Sequence, residues 1–142
     1  VRCGLLRNEA TEMNIGFFSR MNRGRPWVRM KIAASLDGKT ALANGVSQWI
    51  TSEAARADGH AWRARSCAVL TGIGTVLCDD PRLTCRLPGM GSGVRVVHDT
   101  RLRLPLASRL VATARETPLW IVTAEGGPQA AADTLKSCGV EI

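Results

Sequence analysis

An α/β fold, with a central, mostly parallel sheet flanked by helices, is what the order of patterns along this chain predicts. Two observations carry the prediction. Short apolar runs of strand length recur at residues 67–71, 94–99 and 119–123. Helical patterns alternate with them, and strand–helix alternation is the signature of parallel pairs joined by crossovers.

Residues 8–22 read as a helix, because Met13, Phe17 and Met21 fall at helical spacing beside Phe18. Gly16 weakens it, since glycine disfavours a helix interior. A basic linker, Arg23-Gly24-Arg25-Pro26, leads into a strand at 27–34, where Val28, Met30 and Ile32 alternate with Arg29 and Lys31. Tight turns follow at Leu36-Asp37-Gly38-Lys39 and Asn44-Gly45, and then a polar-aromatic cluster, Ser47-Gln48-Trp49. Small residues entering a glycine turn let a flat ring lie close to backbone. The indole adds a face for stacking.

Thr51-Ser52-Glu53 opens a helix to about residue 65, with a hydroxyl cap and an acid in the first turn. Arg56, His60 and Arg63 share one face of it; Ala57, Ala61 and Ala64 form another. Such a basic stripe is either a solvated surface or a phosphate contact, for which guanidinium geometry is suited. The strand at 67–71 runs into Gly72-Ile73-Gly74-Thr75, expected as a glycine-rich turn. It is weak as a dinucleotide fingerprint, because Leu77 stands where a third glycine belongs and Asp99 comes late for a ribose carboxylate. Asp79-Asp80-Pro81 predicts a turn in which Asp79 accepts hydrogen bonds from a ligand or backbone. Residues 87–93 read as a flexible loop, and the strand at 94–99 ends at His98-Asp99-Thr100, a position where α/β sheets place ligands. Residues 101–110 are a turn region, Glu125-Gly126-Gly127 a strand-to-helix turn, 128–137 a helix stopped by Gly139, and 140–142 the start of a further strand.

The totals narrow the classes. With 142 residues, 45% hydrophobic and 22% charged, the chain has the make-up of one soluble globular domain. No apolar run approaches the ~20 residues of a membrane span, and the first residues lack the apolar core of a signal peptide, so no membrane partner and a cytoplasmic location are expected. A net charge of +7 suits acidic partners, nucleic acid or phosphorylated small molecules. Aromatic residues make up only 4%, with no tyrosine, which argues against an RNA-stacking surface. Cys3, Cys67, Cys78, Cys85 and Cys138 are odd in number and lack CxxC spacing, so neither a disulfide framework nor a metal site is expected.

ASLDGKTA, SQWITS and RARSCAVLTGIGTVLCDDPRLTCR follow one another in an order that resembles the reductase domain of the bifunctional riboflavin-biosynthesis deaminase–reductase, over residues 25–142. GLLRNEATEMNIGFFSRMNRGRP is similar to the tail of that family's deaminase domain. The resemblance implies that residues 1–24 are such a tail plus linker, and that 25–142 are the N-terminal part of an NADPH-dependent reductase domain. It implies a dihydrofolate-reductase-like fold, incomplete at the C-terminus. It also implies reduction of 5-amino-6-(5-phosphoribosylamino)uracil to the ribitylamino product, with NADPH as cofactor and a phosphorylated pyrimidine as partner.

Carried over residue by residue, the resemblance places Ala33, Trp49, Thr75, Asp79 and Thr100 at the cofactor. It places Ser47, Arg63, Leu83 and Arg86 at the substrate, with Arg63 or Arg86 meeting the phosphate. Lys39, in the SLDGK turn, is positioned to approach the substrate. No residue is assigned as catalytic general acid, and water is left to supply the proton. Zinc is expected only in the missing upstream deaminase domain, whose motifs are absent here. The family's phosphate loop and last strands would lie beyond Ile142, so the fragment is expected to be marginally stable or swapped between chains, and inactive alone. A homo-oligomer is compatible with the edge this leaves. The alternatives are another dihydrofolate-reductase-like pteridine or pyrimidine reductase, or a basic RNA-binding or interaction domain.

Overall fold

Three parallel strands organise the larger part of the chain, whose residues 2–142 are described by a computed structural model. They are β1 (Ala68–Gly72), β2 (Val94–His98) and β3 (Leu119–Val122), in that spatial order. Val69 lies opposite Arg95, and Val97 opposite Ile121. Beyond β3, Glu141 continues the pairing: Ile121 N–H donates to its carbonyl at 2.8 Å, and its own N–H donates to Leu119 O at 2.9 Å. The further strand expected at 140–142 therefore begins where the sequence places it.

Period-2 alternation decides which face of this sheet is buried. Arg95 and Val97 on β2, and Leu119 and Ile121 on β3, point into the core. Ile73 and Val76, Leu110 and Val111, and Ala132 and Leu135 meet them there from three helices, together with Val140. These helices are α4 (Ile73–Asp79), α5 (Arg109–Ala112) and α6 (Gln129–Ser137). Each large aliphatic side chain removed from water in this way stabilises the fold by roughly 1.5–3 kcal/mol. Leu70, Trp120 and Val122, on the opposite register, stay exposed.

Helix α3 (Glu53–Ala64) starts as expected: Ser52 has extended backbone angles and its hydroxyl accepts from Ala55 N–H at 3.3 Å. The short α5 was not expected; it starts at the end of the turn region read at 101–110 and runs past it. Ser108 caps it, its Oγ accepting from Val111 N–H at 3.4 Å.

Contacts divide the chain between Ile50 and Thr51. The smaller unit contains α1 (Arg7–Met13) and α2 (Ile15–Arg23). The continuous helix expected at 8–22 is thus two helices. The break falls at Asn14, not at Gly16, because the Asn14 side chain itself donates to Ala10 O at 2.9 Å and competes with the helical ladder. The strand expected at 27–34 is absent: these residues enter no ladder. Their alternation defines an apolar face, but a strand also requires a neighbour's backbone groups, and Val28, Met30 and Ile32 remain 59–80% exposed. Both tight turns are present. Ser35 N–H donates to Lys39 O at 2.9 Å, and Gly45 N–H donates to Leu42 O at 2.9 Å. No helix among the described residues is long and apolar enough to cross a membrane.

Gly72-Ile73-Gly74-Thr75 is not the turn that was expected. β1 passes straight into α4, with Gly72 as an extended N-cap. Neither glycine needs a positive φ, and a Cβ at either would meet open space. The two glycines therefore leave a bare stretch of backbone at the carboxyl end of β1.

Candidate functional site

The centre of the larger unit's candidate site is a cluster of cations. Arg63 sits one helical turn beyond His60 on α3, and the segment 84–87 packs beside both. Arg63 Nη1 donates to Thr84 O at 3.2 Å, and Arg86 N–H donates to His60 Nδ1 at 3.3 Å. The Cys85 thiol donates to His60 O at 3.4 Å and accepts from Leu87 N–H at the same distance, while Cys85 N–H donates to Ser92 Oγ at 2.8 Å.

Burial and then the charge of Arg86 pull Arg63 below the usual guanidinium range, partly offset by Cys85; it stays cationic all the same. Burial, followed by the charges of Arg63 and Arg86, lowers the pKa of His60. Among the described residues neither Arg63 nor Arg86 forms an ion pair, in contrast to Arg103 with Asp99 and Arg109 with Asp80. Two guanidinium groups close enough to feel each other, neither of them ion-paired, have the chemistry to receive a multiply charged anion.

A second group lies along α4 and the strand ends. Thr75 and Asp79 are one helical turn apart on α4 and exposed, and Thr100 is exposed just past β2. All three keep their side-chain oxygens without hydrogen bonds among the described residues. In place of the turn expected at Asp79-Asp80-Pro81, α4 runs through Asp79 and ends in a left-handed C-cap at Asp80, and it is Asp80 that takes a backbone bond, accepting from Arg109 N–H at 2.9 Å. Asp99 is unavailable to any ligand. It is fully buried and accepts from Leu104 N–H at 2.9 Å and Arg101 N–H at 3.4 Å, with Arg103 Nε at 3.5 Å. Leu83 is in the hydrophobic core, with φ +57°.

Ala33, Lys39, Ser47 and Trp49 belong to the smaller unit. Ala33 and Ser47 are half-buried, Lys39 is exposed, and Trp49 is 66% exposed. Ser35 Oγ accepts from Lys39 N–H at 3.1 Å and donates to Asp37, which shapes the turn on which Lys39 stands. Ser35, Asp37, Lys39 and residues 41–43 line a shallow hollow there.

A family model described as the RibD C-terminal domain matches residues 26–142. The chain belongs to that family. It is 46% identical, over its whole length, to the riboflavin biosynthesis protein RibD of Bacillus amyloliquefaciens, of which it spans 38%. It is 42% identical to RibD of Escherichia coli (strain K12) over 87% of this chain and 34% of that protein. Among solved structures, a Thermotoga maritima diaminohydroxyphosphoribosylaminopyrimidine deaminase/5-amino-6-(5-phosphoribosylamino)uracil reductase superposes with a TM-score of 0.81 at 34% identity. That match covers 97% of this chain and 37% of the Thermotoga chain. Acinetobacter baumannii RibD gives a TM-score of 0.77 at 40% identity, over 93% and 36% of the two chains. The fold is the dihydrofolate-reductase-like α/β fold of the RibD reductase structures. This chain spans less than two fifths of each of these RibD relatives.

Several residues went unnoticed in the sequence. Cys85 and Ser92 order the segment that carries Arg86. Their signal was faint, since a cysteine and a serine in a loop have many uses. Thr123, just past β3, has a buried hydroxyl without a partner among the described residues. A polar residue closing the apolar run 119–123 was the available hint.

Proposed function

We propose that this RibD-family chain forms part of a reductase that uses NADPH to convert 5-amino-6-(5-phosphoribosylamino)uracil into its ribitylamino product in riboflavin biosynthesis. The observation that carries the reading is the Arg63–Arg86 pair, in which Arg63 is half-buried and Arg86 exposed, and which lacks an ion-pair partner among the described residues. A substrate bearing a phosphate gives both guanidinium groups a role. Supporting it, the Thermotoga relative named for this reductase activity aligns with nearly the whole chain.

Residues 26–142 would belong to the reductase domain, and the α1–α2 segment would be the tail of a preceding deaminase domain. A nicotinamide cofactor fits the residues present. Bare backbone at Gly72 and Gly74 admits a flat group, and Thr75, Asp79 and Thr100 offer unpaired oxygens suited to hydroxyl and amide groups. On the smaller unit, Ala33 and Trp49 are the candidate cofactor contacts. On the larger unit Arg63 and Arg86 would hold the substrate, whereas the Leu83 side chain is buried in the core and does not reach it; on the smaller unit Ser47 and Lys39 are the candidate substrate contacts. When bound, the cofactor supplies the hydride. The chain's own task is to orient the reactants and exclude competing chemistry. Water supplies the proton.

The test is turnover in the full-length protein, followed by the loss of reduced-nicotinamide absorbance. The wild type should consume NADPH only with the phosphorylated substrate. Arg63→Ala should raise KM about 100-fold, the scale of a lost charge-assisted contact. No NADPH consumption, or a KM unaffected by Arg63→Ala, would refute the reading.

A further inference from the structure

The α3 stripe contains one basic residue that is not placed there for its charge. Arg86 N–H donates to His60 Nδ1, and a ring nitrogen that accepts a hydrogen bond cannot also carry a proton. His60 is therefore the neutral imidazole, with its proton on Nε2. Burial, and after it the flanking charges of Arg63 and Arg86, favour the same state. The segment that presents Arg86 is held to α3 at three consecutive residues: Thr84 through Arg63, Cys85 through the His60 carbonyl, and Arg86 through the His60 ring. Of these, the ring bond is made at the Arg86 backbone itself.

We infer that His60 is a positioning residue: by accepting the Arg86 amide it fixes the backbone from which the Arg86 guanidinium meets the substrate phosphate. This rests on the reductase reading. Lysine or arginine at the same place would offer donors only, would leave the amide without its acceptor, and would add a third cation. The role is thus distinct from general attraction of anions.

Two measurements test it. In the chain as described, imidazole nitrogen NMR should show His60 Nδ1 unprotonated and hydrogen-bonded, with Nε2 protonated; the opposite tautomer would overturn the inference. In the full-length enzyme, His60→Ala should raise KM for the phosphorylated substrate about tenfold with kcat within about twofold. His60→Asn, whose Oδ1 can accept the same amide, should recover most of that loss. His60→Lys should not, although it adds charge. An unchanged KM in His60→Ala, or an equal rise with the dephosphorylated substrate, would overturn the inference. A wild-type enzyme without turnover would refute the reductase reading and the phosphate role together, while the NMR result would still decide the tautomer on its own.

Discussion

Arg95 shows how much of this fold depends on one polar side chain. It is fully buried on β2 and faces carbonyls in place of carboxylates. Nη1 donates to Thr113 Oγ1 at 2.7 Å and Arg82 O at 3.4 Å; Nη2 donates to Thr113 O at 3.0 Å and to Thr117 O. Burial lowers its pKa, opposed by Glu116, but a guanidinium remains charged in proteins. The fork ties the connection after α5 to the middle of the sheet. Arg95→Met would fill most of the space and strand those acceptors, each orphan costing about 1–3 kcal/mol. A loss of roughly 2–4 kcal/mol in urea unfolding is expected; a neutral result would mean the loop re-solvates freely. His60 gives a pH dependence of known sign. Its folded pKa lies below 6.5, so as pH falls below that value the unfolded chain takes up the proton first. Stability therefore falls on acidification through that window and levels off below the folded pKa. Urea midpoints at about pH 7.5 and about pH 5.5 should differ less in His60→Asn than in wild type.

At the level of elements, the junctions decide what the patterns leave open. Gly93 enters β2 where Val94 N–H donates to Cys67 O at 2.9 Å, and a Cβ on Gly93 would lie 2.4 Å from that same carbonyl oxygen. Backbone cannot yield as a flexible side chain can, so Gly93→Ala should force β1 and β2 apart at their start and cost over ~2 kcal/mol. Ala at Gly91, two residues earlier, should be nearly neutral, since nothing lies within 4 Å of a Cβ at that position. Comparing the two unfolding midpoints checks the contact. In the sequence Gly89, Gly91 and Gly93 look alike, because spacing records glycine's flexibility but not what it approaches. The strands β1, β2 and β3 were legible from apolar runs of the right length, and α3 and α6 from caps and stops. The segment at 27–34 was not, because its alternation is indifferent to whether a partner strand is present. Arg95 was also illegible. It shares a face with Val97, yet an arginine in VRVVH reads as the solvent side unless the carbonyls that receive it are known. In the candidate site, Arg63 and His60 were readable as one helix face, whereas the Arg86 amide reaching back from residue 86 to residue 60 is a tertiary fact.

For the molecule as a whole, protection is distributed unevenly, and that distribution can be measured. The ladder hydrogen bonds lie in β1, β2, β3 and the bridge to Glu141, and the buried aliphatic cluster lies wholly within residues 73–140. Before Thr51, Ser19 is the buried residue among those described, while Leu36, Val28, Met30 and Trp49 are largely exposed. Amides gain protection from buried, paired backbone, and local opening is cheapest where few apolar contacts must be broken. Hydrogen exchange should accordingly be slowest at Val97 and Ile121. It should be fast throughout 27–34 and intermediate in the turns closed by Ser35 and Leu42. Protection at 27–34 approaching that of β2 would mean that this segment is paired in solution. Its alternating pattern would then have been the better guide to the fold, and the strand predicted from it would be real.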